Sequence, residues 1–221
     1  MLGGPIVETK WKGQKAKEVE NTGFKVWYTG ATPGRYGVGI LIGRSLKDGV
    51  IEVRRQGNRI ILVWMVVGDS AMNVISAYAP LVGLSESTKR QFWEDLDSIV
   101  SIMPTSEKLF IGDLNGHVGA TNVGFERVHV GFGYGSRSQE GEDVLNFALA
   151  YDLLIANTVF KKRESHLVMF RSGQHLSQID FILARREDRR DCLDCKVIPG
   201  ECVVPQHKLV VADFHFRVRV Y

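Results

Sequence analysis

Seven short runs rich in Val, Ile and Phe recur along the chain, at 36–43, 59–67, 72–79, 108–111, 153–159, 178–184 and 208–220, each bounded by Gly, Pro, Asp or Asn. Branched and aromatic side chains fit a pleated, half-buried surface, and the flanking turn formers stop each run, so the pattern predicts many short strands. Gly68-Asp69-Ser70-Ala71 separates two runs closely enough for a hairpin. Only two segments show helical spacing. In the first, Phe92, Leu96, Ile99 and Met103 lie on one stripe, with Ser85 or Ser87 placed to cap it. In the second, at about 139–151, Val144, Leu145, Ala148, Leu149 and Tyr151 form the apolar face. With no internal repeat and no linker, this pattern predicts one α/β domain, residues 1–221, of packed sheets with helices outside.

Hydrophobic residues at 44% and charged residues at 24% match an ordinary folded chain and exclude whole-chain disorder. The longest apolar run, Ile60–Val67, is less than half of the ~20 residues that a membrane span requires, so no membrane association is expected. The N-terminal stretch turns charged at Glu8 before a secretory apolar core could form. Three cysteines, an odd number confined to 192–202, cannot staple a chain this size and point to a reducing compartment. An intracellular protein, nuclear or cytoplasmic, is the expectation. The balance of 28 Lys+Arg against 25 Asp+Glu tolerates a polyanionic partner without demanding one.

The segment 108–119 is an apolar run that ends abruptly in Asp113 and Asn115 before a Gly-rich turn. In extended chain, residues two apart share a side, so these two can face one ligand. A second apolar run holds Asp180, in Gln178-Ile-Asp180-Phe-Ile-Leu, and a third follows His207. Acid, amide and imidazole at three strand ends form a hydrolytic constellation that needs no nucleophilic Ser or Cys. Each of them, taken alone, also serves as a strand-terminal cap or turn former.

Taken in order, Glu8-Thr-Lys-Trp, Gly37-Val-Gly-Ile-Leu-Ile, Ala77-Tyr78-Ala-Pro80, Gly112-Asp113-Leu-Asn115, Asn157-Thr-Val-Phe, Gln178-Ile-Asp180 and Gln206-His207 resemble the endonuclease/exonuclease/phosphatase superfamily. The likeness is narrower still to the apurinic-type endonuclease domains of non-LTR retrotransposons, and it runs from Glu8 to the C-terminus. The resemblance implies a four-layer sandwich of two packed mixed β-sheets flanked by helices, and Mg²⁺-dependent hydrolysis of phosphodiesters, above all nicking of DNA. Mn²⁺ is the substitute ion. It also implies roles. Glu8 is a metal-ligand carboxylate; Asp113 orients or deprotonates the attacking water and contributes to the metal site; Asn115 holds a phosphate oxygen without adding charge. His207 contacts the scissile phosphate, Asp180 fixes its tautomer, and Tyr78 offers a hydroxyl to the same phosphate.

The chain also departs from that pattern. The superfamily's opening strand, with an asparagine near the metal, is expected to be missing ahead of Glu8, which would leave a sheet edge open to association. Gln206 stands where many relatives have Asp, and Val168-Met169-Phe170 occupies the place of a Thr-Trp pair. The alternative reading is therefore a catalytically weakened or inactive remnant that binds nucleic acid. Cys192, Cys195, Cys202 and His207 have a spacing able to close a zinc site. The same histidine is better used with Asp180, and bystander thiols are the expectation. His117, His129, His166, His175 and His215 read as surface or capping residues, 131–136 as a loop, and 185–190 as a solvated turn. Lys10, Lys12, Lys15 and Lys17 with Trp11, and Lys161-Lys162-Arg163, are candidates for a nucleic-acid surface.

Overall fold

The computed structural model describes residues 3–7, 9–31, 36–81, 83–204 and 207–215. Glu8 and Gln206, and the side chain of Cys202, lie outside what is described. Where the sequence shows no internal boundary, the chain divides into two compact units between Asp113 and Leu114.

The first unit contains strands β1 (Gly3–Val7), β2 (Gly13–Glu18), β3 (Lys25–Gly30), β4 (Val38–Ile42), β5 (Val50–Gln56), β6 (Ile60–Val67) and β7 (Ser70–Ala77), helix α1 (Glu86–Val100) and strand β8 (Lys108–Gly112). An antiparallel sheet runs in the order β1-β4-β3-β2, and a second series runs β5-β6-β7-β8. The β6–β7 hairpin forms as expected, with only Gly68 and Asp69 in its loop and Val67 paired to Ser70. Gly68 takes a positive φ of 59° there, as a tight hairpin requires. β8 is parallel to β7, and α1 makes the crossover that a parallel pair needs. Ser85 caps α1, its side chain accepting from the Thr88 N–H, and Phe92, Leu96 and Val100 are the buried stripe. β1 and β4 pack on β7, so Val38, Ile40 and Ile42 meet the apolar side of the second series. Full burial of each such side chain contributes about 1.5–3 kcal/mol. Ahead of Glu8 lies β1, of sequence Gly-Gly-Pro-Ile-Val with no asparagine, which pairs antiparallel with β4. The edge strand β2 is exposed and studded with Lys15 and Lys17, a charge pattern that discourages strand addition.

The second unit contains α2 (Gln139–Ala150) and strands β9 (Leu153–Ile155), β10 (Phe170–Ser172), β11 (His175–Ser177), β12 (Ile182–Arg185), β13 (Cys192–Val204) and β14 (His207–Phe214). The strand expected over 153–159 ends at Ile155, where Thr158 Oγ1 donates back to the Ile155 carbonyl and closes a 3-10 turn. β9 pairs with β12, and a separate sheet runs β11-β10-β14-β13. The β13–β14 ribbon is regular on the β14 side, and each register shift places its extra residues on β13. The shift between Cys192 and Asp194 turns both thiols to one side. Cys192 and Cys195 are free and buried against Ala156, with Phe160, Ile182, Val210, Ala212 and Phe214 around them. Burial, helped by Asp194, pushes the Cys192 thiol up to about 11 and raises Cys195 too, as befits core thiols. Residues 185–190 form a turn whose side chains at 186, 187, 189 and 190 are exposed, as expected, but Arg185 just before the 3-10 segment and Asp188 at its middle are buried, and Arg186 grips Asp152 with two hydrogen bonds of 2.7 and 2.9 Å.

Candidate active site

His207 opens β14 opposite Phe170 of β10, and its ring lies 4.7 Å from the Phe170 ring. Its Nδ1 stands 3.1 Å from Asp180 Oδ2. The imidazole is 30% exposed and the carboxylate 18%, so the histidine remains reachable while its partner is shielded. An imidazole that donates from Nδ1 to a carboxylate is fixed in tautomer and ring orientation, and its chemistry toward a ligand runs through Nε2.

The strand expected over 178–184 begins only at Ile182, because side chains from elsewhere in the unit take the backbone groups just before it. The N–H groups of Ile179 and Asp180 point at Met169 Sδ, at 3.3 and 2.8 Å. Asn157 Nδ2 donates to the Asp180 carbonyl at 3.1 Å, and its Oδ1 accepts from the Ile182 N–H at 2.8 Å. Both Asn157 and Met169 are buried. Asp180 is thereby held on the amide and carbonyl sides at once, which fixes the carboxylate presented to His207. Val168-Met169-Phe170, read from the sequence as a lost hydroxyl and indole, supplies instead a sulfur under Asp180 and a ring against His207. Gln178, also buried, accepts from the Tyr134 N–H at 3.1 Å and ties the 131–136 loop to the same turn.

Asp113 and Asn115 correct the extended-chain expectation. β8 stops at Gly112, and the two polar residues adopt positive φ, 70° and 45°. Residues in this left-handed region do not alternate as in a strand, and Asp and Asn are the non-glycine types that tolerate it. Beyond them, Gly116 lies so close to α2 that an added Cβ would stand 2.7 Å from the Glu140 carbonyl. The N-cap Ser138 accepts from the Gly141 and His117 N–H groups at 3.2 and 3.4 Å, fastening this loop to the helix start. His129 is fully buried rather than at the surface: Nε2 donates to the Gly119 carbonyl at 3.0 Å, and Nδ1 accepts from the Gly131 N–H at 3.0 Å. Burial holds its pKa below the usual histidine range.

In the first unit, β1 leads directly into Glu8 and packs beside the residue before Asp113. A Cβ on Gly112 would stand 2.8 Å from Pro5 Cγ, and Ser76 Oγ donates to the Ile6 carbonyl at 3.3 Å. Tyr78, just past β7, is buried. The Arg59 guanidinium lies 4.2 Å from the Tyr36 ring and 5.4 Å from that of Tyr78, and Nη1 donates to the Tyr78 carbonyl at 3.1 Å. Of the expected site residues, Tyr78 and Asp113 thus belong to the first unit and Asn115, Asp180 and His207 to the second. Asp180 and His207 are in direct contact. Asn157, Met169 and Arg59 had no assigned role, although Asn157 stands in one of the ordered motifs and its amide interrupts the apolar run 153–159.

Among the described residues, no three His, Cys, Asp or Glu side chains form a metal cage. Magnesium is typically held through one or two carboxylates, with waters and substrate phosphates completing its shell. Glu8 and Asp113 match that donor chemistry, Glu8 lying outside the described residues.

No family model matches the chain. It is 28% identical over 219 residues to craniofacial development protein 2 of Bos taurus and likewise of Tragulus javanicus, covering 97% of this chain. The chain spans only 36% and 38% of those proteins' own lengths. Among solved structures it is similar to the endonuclease domain of TRAS1, a telomere-specific non-LTR retrotransposon (TM-score 0.61, 15% identity, 88% of this chain and 81% of that one). It is also similar to an AP endonuclease from Archaeoglobus fulgidus (TM-score 0.65, 17% identity) and to the 3′ phosphatase NExo from Neisseria bound to a product DNA hairpin (TM-score 0.65, 15% identity); each match covers 96% of this chain and 88% of the other. The α/β fold is therefore that of the endonuclease/exonuclease/phosphatase-type nucleases, as the ordered motifs led us to expect. Among the described residues, no helix is long and apolar enough to cross a membrane.

Proposed function

We propose that a chain with this fold hydrolyses phosphodiester bonds in nucleic acid as a Mg²⁺-dependent endonuclease that nicks DNA. The observation that carries the reading is the His207 Nδ1–Asp180 Oδ2 contact at 3.1 Å, with Asp180 held by Asn157 and Met169. In such a pair the protonated imidazole keeps Nδ1–H on the carboxylate and donates from Nε2 to a phosphate oxygen as charge builds there. Asp113 takes the proton of the attacking water, and the Asn115 amide and the Tyr78 hydroxyl hold phosphate oxygens without adding negative charge. Glu8 and Asp113 would hold the Mg²⁺, which when bound supplies charge neutralisation to the phosphate. The fold of AP and retrotransposon endonucleases supports DNA as the substrate class.

The test is conversion of supercoiled plasmid to open circle by the purified chain, with Mg²⁺ and with chelator. Mg²⁺-dependent nicking that disappears in His207→Ala is the expected result. Nicking that persists in that variant, or in chelator, would defeat the proposal. DNA binding without any nicking would assign the chain to the binding-remnant reading.

A further inference from the structure

Outside the Asp180–His207 pair, the second unit carries a cavity of about 360 Å³ lined by Lys161, Lys162, Arg163, His166 and Lys196. Five basic side chains thus meet around one space. Asp194 ion-pairs with both Lys162 and Lys196, the latter at 2.8 Å. Burial alone would raise the Asp194 carboxyl, but the two lysines outweigh it and hold it below the usual carboxylate range. Asp194 therefore stays charged, yet one carboxylate balances only one of four permanent cations. Lys161 and Arg163 are exposed, and among the described residues neither has an ion-pair partner. His166 Nδ1 donates to the Val197 carbonyl at 3.0 Å, which fixes the ring on the cavity wall. Lys196 pairs with Val211 and alternates with Cys195 and Val197, both buried, so its side chain leaves the core.

The same ribbon relates this cavity to His207. Val211, the partner of Lys196, lies four residues along β14 from His207, roughly 13 Å at ~3.3 Å per residue. Because the extra residues of each bulge are on β13, β14 runs regularly, and an even spacing places His207 and Val211 on one face. Measured along the axis of a DNA duplex, ~13 Å spans about four nucleotides at ~3.4 Å each.

We propose that this cavity binds the phosphodiester backbone of a nucleic acid about four nucleotides away from the phosphate addressed by His207. The cations take backbone phosphates regardless of sequence, and Asp194 keeps Lys162 and Lys196 in place at the cost of part of their charge. The inference deepens the nuclease reading and rests on it for the substrate class, but binding is measured apart from cleavage.

The experiment uses the full chain in chelator, where Mg²⁺-dependent cleavage is silent, and follows fluorescence anisotropy of labelled DNA duplexes across a salt series. The double variant K161A/R163A, altering two exposed side chains, is expected to weaken binding about tenfold and to make the slope of log affinity against log salt shallower by about 1.8. Asp194→Asn, which releases two lysines from their carboxylate, is expected to strengthen binding; a residue that only supports the fold would move it the other way. Duplexes too short to extend about four base pairs past a central phosphate should not distinguish K161A/R163A from wild type. Unchanged affinity and slope for the double variant on long duplexes would overturn the proposal. So would inorganic phosphate that displaces long and short duplexes equally, since the cavity would then be a small-anion site. If the variants behave as expected and the chain never nicks plasmid, the nuclease reading fails while the backbone-binding site stands.

Discussion

Two histidines of the second unit show how partner chemistry divides the work of one side chain. His129 is sealed between a carbonyl and an amide, Gly119 and Gly131, and spends both ring nitrogens on backbone that it staples together. His207 spends Nδ1 on a carboxylate and keeps 30% of its side chain exposed. Burial depresses the pKa of His129, and backbone partners occupy both of its ring nitrogens. Backbone partners make an imidazole a structural clamp, whereas a carboxylate partner at the surface prepares it to meet a phosphate.

The largest expected effect sharpens this contrast directly. His207→Ala or Asp113→Ala should lower the plasmid-nicking rate on the order of 10²–10⁴-fold with an unchanged circular dichroism spectrum. His129→Gln should leave the rate of the folded protein near wild type; an equal loss in both histidine variants would erase the distinction. Next in size is Asp180→Asn, expected to cost about 10–100-fold in rate because it disturbs the imidazole's tautomer and not the fold. A thermal midpoint that collapses in this variant would make Asp180 a folding residue instead.

A third prediction concerns pH. The unfolded chain binds a proton at His129 more readily than the folded one, so stability is fully present above the ordinary histidine pKa of ~6.5 and falls as pH drops below it. His129→Gln should flatten that loss in denaturant titrations between pH 7 and pH 5, while costing about 1–3 kcal/mol at neutral pH through imperfect replacement of two buried hydrogen bonds. An unchanged pH profile would place the acid sensitivity elsewhere. The smallest effect is expected in the first unit: Arg59→Met removes a cation stacked on Tyr36 and Tyr78, worth about 0.5–1 kcal/mol, read as a lower thermal midpoint. A midpoint equal to wild type would show that the stack orders the tyrosines without stabilising them.

What the sequence revealed follows the same division between local and long-range chemistry. Runs such as 60–67 and 108–112 announce themselves because each lies inside a sheet and keeps its apolar pattern. β2 stays hidden because it is an exposed edge of Gly, Gln, Lys, Ala and Glu, and β13 because its bulges break the two-residue period. Asp180 and His207 are legible through ordered motifs, and the fold places them 3.1 Å apart. Asn157 and Met169 are not legible as supports, since each reaches Asp180 from 23 and 11 residues away through bonds that exist only once the chain has folded.

The positive φ of Asp113 and Asn115 carries a historical consequence. At these angles glycine is free of the steric cost that any other residue meets, so replacing either polar group by glycine would relieve strain while removing chemistry. Drift without selection for the acid and the amide would thus run downhill toward glycine at both positions. In any set of descendants of this chain, Asp113→Gly and Asn115→Gly are therefore the changes that should mark lineages in which the reaction has been abandoned and the fold kept.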